Sequence, residues 1–359
     1  MEINLKVQLM YETVIDQSDS EEWNRLCSGF TGMSIYQTGL YGELHSAGIL
    51  RSCSRIAIFK ESQVVAAAQL RIKLVPVLSI GVAEIDWGPL WCSSNGKMDR
   101  LGLGVLLDEI RREYCEKRKL QIRVRPRSTV SQNTDLELHE LLMQHGYCKN
   151  QETRPYHTVL IDLQKSIDTI RSEFHQKWRN QLNVAERSGL EYECGNNIEY
   201  FDRFYAIYKA MWEKKKFPTG VRLPIIRELQ EKLAPQEKFI VTILHNGQVD
   251  IGATVCTVLG DTMLYFLGAT TPELRNDSRP GYLLQWLHIQ KAKELGVRWY
   301  DLGGYDDINP DLARFKKRTN GIHVLYPGQY ETGPLNFSSK FLKICEKGFR
   351  KTKYYVTSR

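Results

Sequence analysis

The stretch "FIVTILHNGQVDIGATVCTV", residues 239–258, reads as two apolar strands joined at Asn246-Gly247. An Asn-Gly pair between β-branched runs is a strong hairpin signal, because the tight turn needs positive φ at both central residues. "TMLYFLGAT", 262–270, reads as a further apolar stretch, and "YLLQWLHIQKAKELGVRWYDL", 282–302, as a helix running into a strand. The same order occurs roughly 180 residues earlier. There "RIAIFKESQVVAAAQLRI", 55–72, is the strand pair, "VAEIDWGPLW", 82–91, the next apolar stretch, and "VLLDEIRREYCEKRKLQIRV", 105–124, the helix and strand. The repeat predicts a mixed α/β (α+β) protein of two similar domains, each a mixed β-sheet flanked by helices.

The expected boundaries are 1–150, 151–333, and a basic helix and tail over 334–359. The first domain closes at "ELHELLMQHGYCKN", 137–150, a helix stopped by Gly146. The second opens with the strand "HTVLIDL", 157–163. One helix is expected from about Ser166 through "EFHQKWRNQLNVAERSG", ended by Gly189 at a usual C′ position. Another, near Glu199 to Lys214, carries Phe201, Phe204, Tyr205, Tyr208 and Trp212 at helical spacing, a stripe that reads as core. In the tail, Phe341, Leu342, Cys345 and Phe349 fall near one face with lysines between. We read it as a terminal helix packed on the second domain, ahead of a peripheral membrane contact.

The chain has 359 residues, 42% hydrophobic and 25% charged, the composition of a globular protein. The opening "MEINLKVQLMYE" has no apolar leader, and no run approaches the length needed to span a bilayer. Eight cysteines are scattered without a CxxC pair, which fits reduced thiols and a cytoplasmic location. The net charge of +7 is uneven. Residues 1–150 hold 18 basic and 18 acidic side chains, and residues 151–359 hold 31 and 24. A basic half attracts a phosphate-bearing partner, although scattered solvated lysines give the same balance.

Several chemistries are absent as motifs: there is no GxSxG, HExxH, P-loop or CxxC, and the eight histidines show no metal-ligand spacing. Three features of the second half remain. In "RNDSRPGYLLQW", 275–286, Arg275 and Arg279 precede a Pro-Gly helix mouth that includes Gly281, which suits an anionic group or is an ordinary helix start. In "RWYDLGGYDD", 298–307, Gly303 and Gly304 at a strand end allow close approach of a backbone or a ligand. Asp301 there either accepts from a substrate amine, orients a neighbour, or simply caps the turn. In "ARFKKRTNG", 313–321, Phe315 stacks or packs, and Lys316, Lys317 and Arg318 cannot all face a core.

Taken in order, "KWRNQLNVAERSGLEYE", "YFLGAT", Pro-Gly-"YLLQW", "YDLGGYD" and "RFKKRTNG" resemble the Fem-type (FemABX) aminoacyltransferases and their Fem-related GNAT acyltransferase relatives. The resemblance covers about 155–330 well. It is fainter before that, where "DWGPLW", 86–91, is similar to the family's Gly-Pro turn. It implies tandem GNAT-like (acyl-CoA N-acyltransferase) domains and an acyltransferase of envelope biosynthesis. The implied reaction moves an aminoacyl group from aminoacyl-tRNA to an amine of a cell-wall (peptidoglycan-type) precursor by direct aminolysis. Aminolysis of an ester needs positioning and charge stabilisation but no enzyme nucleophile, so a missing triad is expected.

By position, Lys316 and Phe315 match the family's donor-site Phe-Lys pair, with Lys316 stabilising the oxyanion or the leaving oxygen and Asp301 as second catalytic candidate. Arg314, Arg318, Arg275, Arg279, Gly281, Gly303 and Gly304 complete the expected donor site. Lys216 and Arg222, in "EKKKFPTGVR", with Tyr265, Tyr305 and Asp86, are the expected acceptor residues. The family often places a carboxylate after its Gly-Pro turn, whereas Leu90, Trp91 and Cys92 follow Pro89 here and Asp86 precedes it. No long charged helical hairpin interrupts the second half. No cofactor, metal or DNA is expected beyond the donor. Two rivals stay open: an acyl-CoA-dependent N-acyltransferase acting on a nucleotide sugar or surface-glycan (polysaccharide) precursor, and a non-catalytic RNA- or precursor-binding module.

Overall fold

The computed structural model describes residues 10–75, 80–127, 132–216, 220–271, 278–306 and 308–333. Arg275 and the tail from 334 lie outside them. The chain divides into two units, one holding residues up to Pro155 and again from Tyr326, the other spanning Tyr156–Leu325. The first crossing falls a few residues after the expected 150. The second differs more, because 326–333 returns to the first unit.

In unit 1 the elements are β1 (Glu12–Ile15), α1 (Ser20–Cys27), α2 (Gly39–Ser46), β2 (Arg51–Lys60), β3 (Gln63–Leu74), β4 (Gly81–Asp86), α3 (Arg100–Ile110), β5 (Leu120–Arg125), α4 (Gln132–Gln144) and β6 (Cys148–Asn150). Unit 2 runs β7 (His157–Asp162), α5 (Ile167–Glu173), α6 (Gln176–Glu186), β8 (Glu191–Gly195), α7 (Ile198–Lys215), α8 (Leu223–Lys232), β9 (Ile240–Asn246), β10 (Val249–Leu259), β11 (Thr262–Thr270), α9 (Pro280–Glu294), β12 (Trp299–Asp301), α10 (Pro310–Lys317) and β13 (Ile322–Leu325). A last strand, β14 (Gln329–Thr332), joins the first sheet.

The two sheets are ordered β1-β2-β3-β4-β5-β14-β6 and β13-β7-β12-β11-β10-β9-β8. Each contains the repeated unit read from the sequence: an antiparallel hairpin, a third antiparallel strand, a helical crossover, and a strand returning parallel. The next neighbour is antiparallel in both, β14 on β5 and β7 on β12. These two equivalent places are filled from different directions along the chain. β7 precedes its own hairpin, whereas β14 arrives after the whole of unit 2, which a repeat search cannot see.

Packing follows the apolar period. In unit 1, Leu106, Leu107, Leu138 and Leu142 cover the sheet residues Ile72, Ile85, Ile122, Val124 and Tyr330. In unit 2, Phe174, Trp178, Leu182, Trp286 and Ile289 cover Val159, Met263 and Tyr300. Phe201, Phe204 and Tyr208 of the aromatic stripe are buried as expected, each burial stabilising by about 1.5–3 kcal/mol. The single helix expected from Ser166 is two. Phe174 and His175 leave helical geometry, and the His175 imidazole caps α6 by accepting from the Lys177 amide. The break lets Phe174 turn inward against Trp178 and Trp286.

Candidate functional site

The geometry of interest starts where β11 and β12 part. Their parallel pairing covers Thr262–Trp299, Met263–Tyr300 and Leu264–Asp301 and then stops. The backbone beyond Asp301 stays on β7, with the Leu302 amide donating to Val159 O at 3.0 Å and the Tyr305 amide to His157 O at 3.0 Å. From Tyr265 onward β11 continues against β10, across a register shift at Val255/Cys256. The opening between the two strand backbones therefore begins at Tyr265, with 302–305 on its other side, and Gly303 packs across it against the Tyr265 carbonyl.

Gly303 and Gly304 are required by this chain's own packing. Gly303 has φ +72°, and a Cβ there would lie 2.6 Å from the Tyr265 carbonyl oxygen. A Cβ on Gly304 would lie 2.3 Å from the Tyr156 ring. The close approach expected at these glycines is thus made by protein atoms on those sides.

Lys316 reaches this opening from α10. Asn309 caps that helix, its side chain accepting from the Leu312 amide at 3.1 Å, and Pro310 occupies the first turn. Ala313 and Lys316 share the buried face at i, i+3. Lys316 is 3% exposed. Its ammonium donates to the Gly304 carbonyl at 2.8 Å and stands 5.4 Å from the centre of the Tyr265 ring. An ammonium has three N–H donors, and one carbonyl is its hydrogen-bond acceptor among the described residues. Burial pulls its pKa down to about 8, against the opposing pull of the Asp301 charge.

Asp301 is fully buried. Its carboxylate accepts from the Gly303 amide at 2.8 Å and from the Thr158 hydroxyl. Of the roles expected for it, these contacts match capping the turn and orienting a neighbour.

Of the other expected donor residues, Phe315 is half-buried, packing edge-on against Tyr282 at 4.9 Å and lying 6.0 Å from Trp178, against the side of the core cluster. Arg314 is exposed and paired with Asp311 at 3.0 Å. Arg318 is half-buried, and its carbonyl accepts from the His175 amide at 2.9 Å, joining the end of α10 to the start of α6. Arg279 stands just before α9 in left-handed geometry, φ +49°. Burial raises the Tyr282 phenol, and the charges of Arg318 and Arg279 offset part of that rise, so these two cations converge on one residue. A Cβ at Gly281 would meet nothing within 4 Å, so packing does not demand glycine there. Arg314, Lys317, Arg318 and Asn320 line one shallow groove.

The expected acceptor residues are more dispersed. Lys216 ends α7 in left-handed geometry with its ammonium 5.3 Å from the Trp212 ring centre. Arg222 stands before α8, across 217–219. Tyr265 lies in the opening itself. Tyr305 has its hydroxyl 3.3 Å from His323 Nδ1, and Lys317 lies 5.3 Å from the centre of its ring. Asp86 belongs to unit 1, not to the unit of Lys316. Burial would raise its pKa, but Arg125, at 2.5 Å, and Arg71 hold it below the usual carboxylate range. A carboxylate so paired is a weak base.

Two groupings were missed. Thr158 was not singled out, since a lone threonine in an apolar strand carries no signal. The other is a core network. His288 Nε2 sits 2.9 Å from Thr254 Oγ1 and 3.0 Å from Thr242 Oγ1, its Nδ1 is 3.3 Å from Cys256 Sγ, and the Tyr300 hydroxyl donates to Gln285 at 2.6 Å. Burial lowers His288 to about 3 and raises Cys256 well above an ordinary thiol, so both are neutral and the pair is no thiolate nucleophile. Thr242 and Thr254 are direct cross-strand partners, a polar pair inside an apolar hairpin that the sequence did display. Among the described residues no cluster of three or more His, Cys, Asp or Glu is placed to hold a metal, and no helix is long and apolar enough to cross a membrane.

Residues 172–317 match the acetyltransferase (GNAT) domain family. The chain is 23% identical to a lipid II:glycine glycyltransferase of Staphylococcus saprophyticus, over 72% of this chain and 76% of that protein. It is 21% identical to the enzyme of the same name from Staphylococcus aureus, with the same coverage. The crystal structure of FemX superposes with a TM-score of 0.74 at 18% identity, covering 89% of this chain and 96% of that one.

Proposed function

Because the chain is a Fem-related GNAT acyltransferase, we propose that it transfers an aminoacyl group from the ester of an aminoacyl-tRNA to an amine of a peptidoglycan precursor. The acceptor class is that of the relatives named as lipid II:glycine glycyltransferases. The reaction needs no covalent enzyme intermediate. The neutral acceptor amine attacks the ester carbonyl, the C–N bond forms, the C–O bond to the ribose breaks, and the amine proton ends on the leaving oxygen. Negative charge develops first on the carbonyl oxygen and then on that leaving oxygen.

The observation that carries this reading is the Lys316 ammonium, buried at the opening with donors to spare and still charged at neutral pH. A fixed charge in a water-poor site stabilises developing anions without reorganisation. Arg279 and Arg318, beside Tyr282, supply the attraction for donor phosphates. The surface they help form lies in the half of the chain that holds the charge excess. No further cofactor enters the scheme, and the proposed place of action is the cytoplasmic side.

The α9 mouth bears on the choice between the two donor readings. Pro280 has no amide hydrogen, and the Tyr282 amide is turned onto the Arg279 carbonyl at 3.1 Å. That first turn is poor in free N–H groups for a pyrophosphate, which favours tRNA over acyl-CoA. A decayed, purely binding module has no reason to keep a buried ammonium that lowers its stability. The test is filter binding of aminoacyl-tRNA from low to high salt, alongside transfer to the precursor. A steep fall of affinity with salt is expected from counterion release. Flat salt dependence, or CoA binding without tRNA binding, would overturn the tRNA donor.

A further inference from the structure

The Asp301 carboxylate and the Lys316 ammonium are joined through one short piece of backbone. Thr158, reaching from β7, places its hydroxyl on the Asp301 carboxylate and 3.0 Å from the Gly303 carbonyl oxygen. The Gly303 amide donates to the same carboxylate at 2.8 Å. The next residue, Gly304, offers its carbonyl to Lys316 at 2.8 Å, and Lys316 Nζ lies 3.6 Å from where a Cβ on Gly303 would stand. Gly303 is held at φ +72° between these contacts.

We propose that Asp301 is a positioning residue for the transfer: with Thr158 it fixes the Gly303–Gly304 turn, and through that turn and its own charge it holds the Lys316 ammonium in place and protonated. The inference rests on the reading that Lys316 acts as a charged stabiliser.

The groups facing Lys316 from each neighbouring element support it. β12 presents Asp301. β11 presents Tyr265, whose phenol burial keeps neutral. β7 presents Thr158, which carries no charge. On α10 itself, Arg314 is turned to Asp311 and Lys317 to the Tyr305 ring. Asp301 is therefore the carboxylate set against the desolvation of this lysine. A buried charge without a counter-charge shifts its pKa until it neutralises.

The experiment is an NMR titration of the full chain carrying 13Cε-labelled lysine, with the Lys316 signal assigned by its loss in Lys316→Arg. Asp301→Asn keeps the shape and an accepting oxygen but removes the charge. Its Lys316 midpoint is expected to fall by about one pH unit or more relative to the unaltered chain. Thr158→Val is expected to lower it less and Thr158→Ser to restore it. In transfer assays the alkaline limb of kcat is expected to move with the midpoint, at unchanged acceptor KM. Identical midpoints in the unaltered chain and Asp301→Asn overturn the proposal. Should Asp301→Asn fail to fold, an unshifted midpoint in Thr158→Val overturns it instead. A shifted midpoint with an unmoved kcat profile supports the coupling and overturns the catalytic reading of Lys316.

Discussion

Lys316 shows how a single side chain sets function against stability. Its folded pKa, about 8, lies below the ordinary lysine value of 10.5. Below pH 8 both folded and unfolded chains hold the proton, and the folded chain bears the whole desolvation penalty. Between pH 8 and 10.5 the unfolded chain binds more proton, so stability rises with pH, and above 10.5 the penalty is gone. The shift corresponds to on the order of 3 kcal/mol as an upper bound. Lys316→Met is therefore expected to stabilise the protein at pH 7 in urea denaturation, with the gain over wild type shrinking at pH 10. The same variant is expected to lower kcat by about 10²–10³. Lys317→Ala, at an exposed position, is the control and is expected to leave kcat nearly unchanged. A Lys316→Met enzyme that is less stable at pH 7, or retains its kcat, contradicts the assignment.

Among the elements, the strand end at 301–304 and helix α9 carry distinct loads. Gly303→Ala puts a methyl group 2.6 Å from a carbonyl oxygen at a backbone angle alanine resists. It is expected to destabilise by more than about 1 kcal/mol, since strain adds to the clash, and to lower kcat by displacing the Lys316 acceptor. Thermal unfolding and steady-state assays read both effects, and unchanged values in both would show that the turn is tolerant. Helix α9 is tied to the sheet through His288. The folded pKa, about 3, lies below the ordinary 6.5, so this residue's contribution is complete above pH 6.5 and is lost as pH falls toward 3. His288→Leu is expected to be less stable at pH 7, because Thr242 and Thr254 lose their partner, yet to show a shallower loss between pH 6.5 and 4. Parallel stability–pH curves for the two proteins would exclude His288 as a source of acid sensitivity.

For the molecule as a whole, the decisive strand is β14. It lies between β5 and β6, and β6 pairs with β14 alone among the described strands. Tyr330 is 1% exposed in the first core, with its hydroxyl 2.8 Å from His139 Nδ1. A chain ending at Leu325 is expected to lose amide protection in β5 and β6 and to retain it in β9, β10 and β11, relative to a chain ending at Gly333. Hydrogen exchange resolved by segment tests this. Equal protection in the two chains would mean that unit 1 does not depend on the returning strand.

Much of this protein was written locally. The β9–β10 hairpin turns at Gly247 and Gln248 rather than at the expected Asn246-Gly247, because Asn246 still pairs with Val249. That hairpin, the repeat of strands and helix, and the aromatic stripe of α7 depend on residues a few positions apart, and local sterics with the apolar period suffice to specify them. Even the buried place of Lys316 had a local trace, because Leu312, Ala313 and Phe315 mark the inner face of α10 on which it lies. What the period does not say is that a cation on that face keeps its charge. That depends on Asp301 and Thr158, separated by 143 residues in the chain and brought together by the pairing of β12 with β7. The same holds for β14, whose place in the first sheet is chosen by a partner about 200 residues away, and for His288, whose neutrality follows from burial. Contacts between distant segments are decided by the closed fold, since only there do desolvation and the remaining hydrogen-bond partners become defined.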